Sequence, residues 1–266
     1  MDTLTTLKQK KMRDKLKDKN YFESLINSRY KSMDKSLNML NDGLIKDDRI
    51  LSVKKMMTYD CLQIIGAKYS IGAASSQELK NDISNGIQLL NEAIVDNKGK
   101  IDAGNKIFLD QYYVHIHQEI LQYLSLAYLL DIPETDFNVL VNIIDRDNIS
   151  DDLYEFIIKA RFPDRKQKRA EEYDTDKSVI LKVYDKLRKA TKQSDKNEAA
   201  KLVKFFLEKS FYHKDMNSYN SHKSKANIYS GYWSFEAAAV VKILSLDDSS
   251  FANNQYYPKD LVHFNN

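Results

Sequence analysis

The chain has 266 residues, with 41 Lys or Arg against 38 Asp or Glu and a formal net charge of +3, too small a charge to indicate nucleic acid by itself. One Cys, Cys61, excludes an internal bridge, and no apolar leader precedes the charged start from Lys8 to Lys19, so a reducing cytoplasm is the expected location. No uncharged apolar window of about 18 residues is present, which excludes a transmembrane helix.

Seven Gly and three Pro, with abundant Lys, Leu, Ala and Glu, favour an all-α multi-helix bundle. Two helical halves are expected, 1–132 and 133–266, divided at Ile132-Pro133-Glu134. Residues 4 to 17 loosely suit a helix whose charge density favours fraying. From Tyr21 to Met39 the apolar positions Tyr21, Phe22, Leu25, Ile26, Tyr30, Met33 and Leu37 keep a helical period, which Asn41-Asp42-Gly43 stops. Asp47 or Asp48 caps the next helix, Arg49 to Ile71, where Cys61 reads as a small buried hydrophobe. Ser75 with Glu78 forms a capping box for a helix reaching Val95, and a core helix is expected from Asn105 to Leu130.

Beyond Pro133, short helices are expected over Phe137–Ile144 and Asp151–Ala160. Residues 133 to 160 carry seven acidic residues and two basic ones. Asp145, Asp147, Asp151, Asp152 and Glu155 gather around one interhelical turn; two of them can cap the second helix, and acidic residues suit its N-terminus. A basic connector follows, then helices over Lys177–Lys189 and Asn197–Lys209.

Catalytic templates are missing: there is no Gly-rich phosphate loop, no His-Glu-x-x-His, no Gly-x-Ser-x-Gly and no Cys cluster. His115 and His117 lie about 200° apart on a helix and cannot share a metal. His213, His222 and His263 converging on Glu236 is the remaining arrangement to check. The expectation is a non-enzyme with neither metal nor cofactor.

The last stretch, Tyr229 to Phe264, holds the only Trp. From Tyr232 to Leu244 apolar residues occupy every side of a helical wheel, interrupted by Ser234, Glu236 and Lys242, so a helix enclosed by others is expected. An unpaired carboxylate there costs several kcal/mol (roughly 2–7 for a polar group, more when ionised), so the fold is expected to supply Glu236 with a partner. Ser230 or Ser234 caps the start, one of Asp247 and Asp248 caps a turn beginning at Ser249, and Pro258 opens a final helix.

This stretch resembles the C-terminal signature of the polymorphic-nuclease immunity family, PoNi, in three places. They are Gly231, Tyr232, Trp233, Ser234, Phe235 and Glu236 with Ala237 to Ala239; then Asp247, Asp248 and Ser249; then Tyr257, Pro258, Lys259, Asp260 and Leu261. Tyr229 belongs to the same run. The signature residues look structural. The resemblance implies an antidote to a cognate DNase toxin delivered between competing bacteria, binding protein rather than nucleic acid.

Two binding modes follow. In the first, an acidic surface docks on the basic DNA groove of the toxin, with Asp145, Asp147, Asp151, Asp152 and Glu155 as first choice and Asp247 and Asp248 second. For each group, a solvated face with helix caps accounts for the residues as well. In the second, the block from Arg161 to Lys225, with 18 basic and 10 acidic residues and interleaved Tyr173, Tyr184, Phe205 and Tyr212, binds nucleic acid directly. Its acidic residues are mixed at helical spacing, which favours a salt-bridged surface.

Overall fold

The computed structural model describes residues 12–72, 76–95, 98–102, 108–166, 182–214, 216 and 218–263. Among them the protein is all-α apart from one two-stranded hairpin. Expectations falling on 1–11, Ser75, Tyr173, 177–181 and Phe264 lie outside the described residues.

α1, Lys19–Asn41, starts where Asp18 accepts a hydrogen bond from the Tyr21 N–H, and it buries Phe22 and Leu25. α2, Asp47–Ile71, has Lys46 at its cap position; Asp47 and Asp48 sit inside the first turn, where they interact favourably with the helix dipole rather than cap it. From Met57 to Ile71 almost every side of α2 is buried, and it packs against both α1 and α3, Ser76–Ala93.

The expected helix from Asn105 begins later. β1, Lys98–Asp102, pairs antiparallel with β2, Phe108–Tyr112, in the register Lys98 to Tyr112, and α4 spans only Val114–Leu129. Phe108 and Tyr112, four apart, fit a helical stripe, but the backbone of this stretch takes its hydrogen bonds from a strand ten residues upstream. Tyr112 then reaches from the hairpin to Asp147, its hydroxyl donating at 2.9 Å.

α5 spans Glu134–Arg146, α6 Asp152–Arg161, α7 Asp185–Thr191 and α8 Lys196–Phe205, which runs on as a π-helical turn, Phe206–Ser210. α7 is shorter than expected and is preceded by a 3₁₀ turn, Lys182–Tyr184. α9, Phe235–Leu244, lies against α4 and also touches α6, α7, α8 and α10, Lys259–Val262. Its residues from Phe235 to Val241 are all buried, Ser234 caps its start by accepting from the Ala237 N–H, and Ser245 ends it in the left-handed conformation. Lys242, the cation in its last turn, donates to the Leu129 carbonyl at 2.9 Å and so satisfies the end of α4. One buried apolar cluster runs through all of these helices.

Residues 229–235 dock on the C-terminal half of α2. The Trp233 indole N–H donates to Ser70 Oγ at 2.8 Å, and its ring meets Tyr69 edge-on at 4.9 Å. Tyr229 donates to Asp14 at 2.5 Å, and Arg13 bridges Asp260 at 2.5 Å and the Tyr69 carbonyl at 2.8 Å. Gly66 lets the Ser230 backbone approach: a Cβ there would stand 2.8 Å from the Ser230 carbonyl oxygen. Gly231 has φ +107°, and a Cβ on it would run into the Trp233 indole and Ser70. Gly231→Ala is therefore expected to lower stability by about 2 kcal/mol or more, read as a drop in the urea midpoint at unchanged slope. An unchanged midpoint would mean that this seat is not formed in solution.

Candidate functional site

The acidic block expected at the surface is largely turned inward. Asp151 is 2 % exposed and stands at the N-cap of α6, accepting from the Leu153 and Tyr154 N–H groups at 3.0 and 3.2 Å. Its second oxygen lies 2.8 Å from His117 Nε2 on α4 and 3.8 Å from the Arg188 guanidinium on α7. His117 is fully buried, stacks on Tyr154 at 4.9 Å, and its carbonyl accepts from the Tyr154 hydroxyl at 2.8 Å. Burial alone would raise the Asp151 pKa, but His117, Arg188 and the cap hydrogen bonds outweigh it and hold the carboxyl well below its usual range. Next to it, Asp152 is raised by burial and by the Asp151 charge, and pairs with Arg188 at 3.4 Å and Lys192 at 3.1 Å.

A second group centres on Arg165, whose guanidinium takes Asp145 at 2.7 and 3.0 Å and Glu155 at 2.8 and 2.9 Å. This double fork ties the connector after α6 back onto α5 and α6. Asp147 is held by Tyr112 and by Arg146 Nε at 3.0 Å. Asp248 accepts from the Tyr257 hydroxyl at 2.8 Å and lies 2.7 Å from His263 Nε2, while exposed Asp247 caps the turn at Ser249 at 2.9 Å.

The seven acidic residues singled out as contact candidates therefore do not form one solvent-facing patch. Asp147, Asp151, Glu155 and Asp248 are at most 9 % exposed. Asp152 is nearly so, with a side chain 10 % exposed. Asp145 is partly open and Asp247 is exposed. Charge density along the sequence cannot reveal this, because the cations that neutralise the acids, Arg165 and Arg188, come from segments the sequence presents as a basic surface. Reversing Asp151 would leave His117 and the α6 N-terminus facing a buried cation, so it tests folding and not contact.

The signature residues occupy the seat described above. Tyr232 accepts from the His222 N–H at 3.2 Å and lies 2.6 Å from its Nδ1, and Pro258, buried, stands at the start of α10. His222 and His263 are thus engaged with Tyr232 and Asp248 and do not converge on Glu236.

Glu236 is 1 % exposed in the first turn of α9, and neither carboxylate oxygen has a hydrogen-bond partner of good geometry. Of the partners expected, a tyrosine hydroxyl, a cation or backbone N–H groups, none bonds it well: the neighbouring Tyr184 gives no hydrogen bond, its own pKa being raised by burial and then by the Glu236 charge. Burial pushes Glu236 up to about 7, against a weaker opposing pull from its own N–H and the Ser234 hydroxyl.

An all-α body whose buried ionisable groups knit its helices together defines a helical scaffold, and no described helix is long and apolar enough to cross a membrane. Residues 149–261 match the model of the family described as PoNe immunity proteins (PoNi), C-terminal, the family that the signature residues resemble. The fold is similar to the crystal structure of protein PA2201 from Pseudomonas aeruginosa, with a TM-score of 0.58 at 13 % identity, over 96 % of this chain and 90 % of that one. No curated protein matches the sequence.

Because the folded pKa of Glu236 lies above the unfolded value of 4.5, its contribution to stability is complete below about pH 4.5 and is lost as pH rises through about 7. Glu236→Gln is expected to be nearly neutral at about pH 5 and stabilising by up to about 3 kcal/mol at about pH 8. Denaturant midpoints at the two pH values measure this, and a variant no more stable than wild type at the higher pH would show that the carboxylate has a partner in solution.

Proposed function

We propose that this protein is an immunity protein that binds a cognate PoNe-type DNase toxin, delivered in interbacterial competition, and neutralises it in the cytoplasm by covering its active site or DNA groove. The match of residues 149–261 to the PoNi C-terminal family carries this proposal. The α9 seat and the internal ion pairs support a passive role, because they consume ionisable groups in holding the helices together. Asp247 is the exposed member of the acidic candidates and Asp145 the partly open one, so these two are the contacts proposed from that set.

Direct nucleic-acid binding through the 161–225 block is less favoured. Among its described cations, Arg165 is committed to Asp145 and Glu155, Arg188 to Asp151 and Asp152, and Lys201 to Glu198 at 2.7 Å. A binder of that kind would show DNA affinity falling steeply with salt.

Co-expression of the protein with a cognate PoNe-type nuclease is expected to restore growth, and the purified pair to form a stoichiometric complex without DNA cleavage. Growth arrest despite soluble expression of both would refute the proposal. Asp247→Asn, which removes the charge but keeps the cap on the Ser249 N–H, is expected to weaken the complex several-fold while leaving the melting temperature unchanged. Equal affinity would remove Asp247 from the interface.

A further inference from the structure

A cavity of about 70 Å³ opens between α2, α4 and the segment 211–235. Its floor holds Gln63, 2 % exposed, and Glu119, 8 % exposed. Its rim carries Tyr59, 43 % exposed, and exposed His115. The hydrogen-bond inventory of the floor is lopsided. Gln63 directs its Nε2 amide to the Ile228 carbonyl at 3.0 Å and also bonds the Tyr59 side chain, and Gln118 gives one N–H to the Met216 sulfur at 3.3 Å. Two buried acceptors are left with no donor, Glu119 Oε1 and Gln63 Oε1.

Buried acceptors in native proteins are nearly always satisfied, so this pair calls for an occupant that brings N–H groups. The space is several times the 10–15 Å³ or so that one water needs, which admits the head of a side chain. One of the acceptors is a carboxylate, so a cation complements it better than a neutral donor does.

We infer that this cavity receives a Lys or Arg side chain of the toxin, its ammonium or guanidinium head donating to Glu119 and Gln63. The choice of occupant rests on the immunity proposal: an enzyme that grips DNA presents cationic side chains in its groove, and a recessed carboxylate flanked by an exposed Tyr59 suits one of them. The cavity itself rests on this chain alone. Glu119 is pushed up to about 7 by burial, moderated by the Thr58 hydroxyl and by the more distant Lys55, both on α2. Tyr59 on α2 and His115 on α4 are the other titratable groups of the lining, and the residues contributed by 211–235 carry no charge. A cation requires the ionised carboxylate, so occupancy should strengthen as pH rises through about 7 and should release protons.

The test uses the full chain and two probes, n-butylguanidinium and its neutral analogue n-butylurea, followed by chemical shifts of the α2 and α4 amides. The cation is expected to bind at millimolar concentration with shifts at Gln63 and Glu119, more tightly at about pH 8 than at about pH 6, and the urea not to bind. Glu119→Gln should weaken the cation at least tenfold and weaken the toxin complex at least tenfold. Absence of saturable binding of the cation to the wild-type protein would overturn the inference whether or not Glu119→Gln folds. A Glu119→Gln protein that holds the toxin as tightly as wild type would overturn it too, while leaving the immunity proposal standing. A wild-type protein that fails to protect against the toxin would sink that proposal and, with it, the toxin as occupant.

Discussion

An indole N–H buried beside a helix needs an acceptor, and Ser70 on α2 supplies one to Trp233 at 2.8 Å. The rest of the C-terminal seat follows from that bond. To bring the indole there, the chain turns at Gly231 with a positive φ, and the Ser230 carbonyl comes down on the bare face of Gly66. That close approach places Ser234 to cap α9 and directs the helix along α4. Asp14, Arg13 and Tyr21 then bond Tyr229, Asp260 and the Tyr229 N–H, so the N-terminal segment is fastened by residues more than two hundred positions away. The motif residues therefore act as joinery between distant parts of the chain.

A second constraint is electrostatic. The helices α4, α5, α6 and α7 meet through carboxylates that are out of water, and each such group needs compensation or it raises its pKa. Asp151 is compensated from three sides, by two N–H groups of α6, by His117 and by Arg188. Glu155 and Asp145 share one guanidinium. Glu236, with neither oxygen well bonded, and Glu119, with its Oε1 unbonded, are pushed by burial up to about 7. Ion pairs of this buried kind add little net stability over apolar packing, but removing one partner costs several kcal/mol (roughly 3–5). They therefore fix which helix faces which more than they hold the fold together.

Much of the helix plan was legible from periodicity. The stripe from Tyr21 to Leu37 and the apolar wheel around Ala237 to Ala239 announce α1 and α9, and Ser234 is a cap by residue type and position. The hairpin was not legible, because Phe108 and Tyr112 satisfy a helical spacing and the strand pairing that competes with it is non-local. The acidic residues misled for a related reason. Asp145, Asp151, Asp152 and Glu155 look like a charged face only if their cations are ignored, and those cations, Arg165 and Arg188, lie 10 to 37 residues on in a stretch that looks equally charged. Glu119 left no signal, since a glutamate among Gln118 and Gln122 looks like the polar side of an ordinary helix.

The family match and the cavity divide the molecule in an informative way. Residues 149–261 contain Asp151, Glu155, Arg165, Arg188, Trp233 and Asp260, which are spent on internal bonds. Gln63 and Glu119, the cavity's unsatisfied acceptors, lie outside that stretch on α2 and α4, while the far wall of their cavity, with Phe211 and Phe235, lies inside it. Carboxylates neutralised internally exert little pull on a cationic partner, so on the inferred docking discrimination falls to groups left unsatisfied. Recessing such a group makes it selective in a way that a surface carboxylate is not. On the inferred docking, a partner must offer a cation at the right depth and in the right direction, and without one burial holds Glu119 partly protonated near neutral pH.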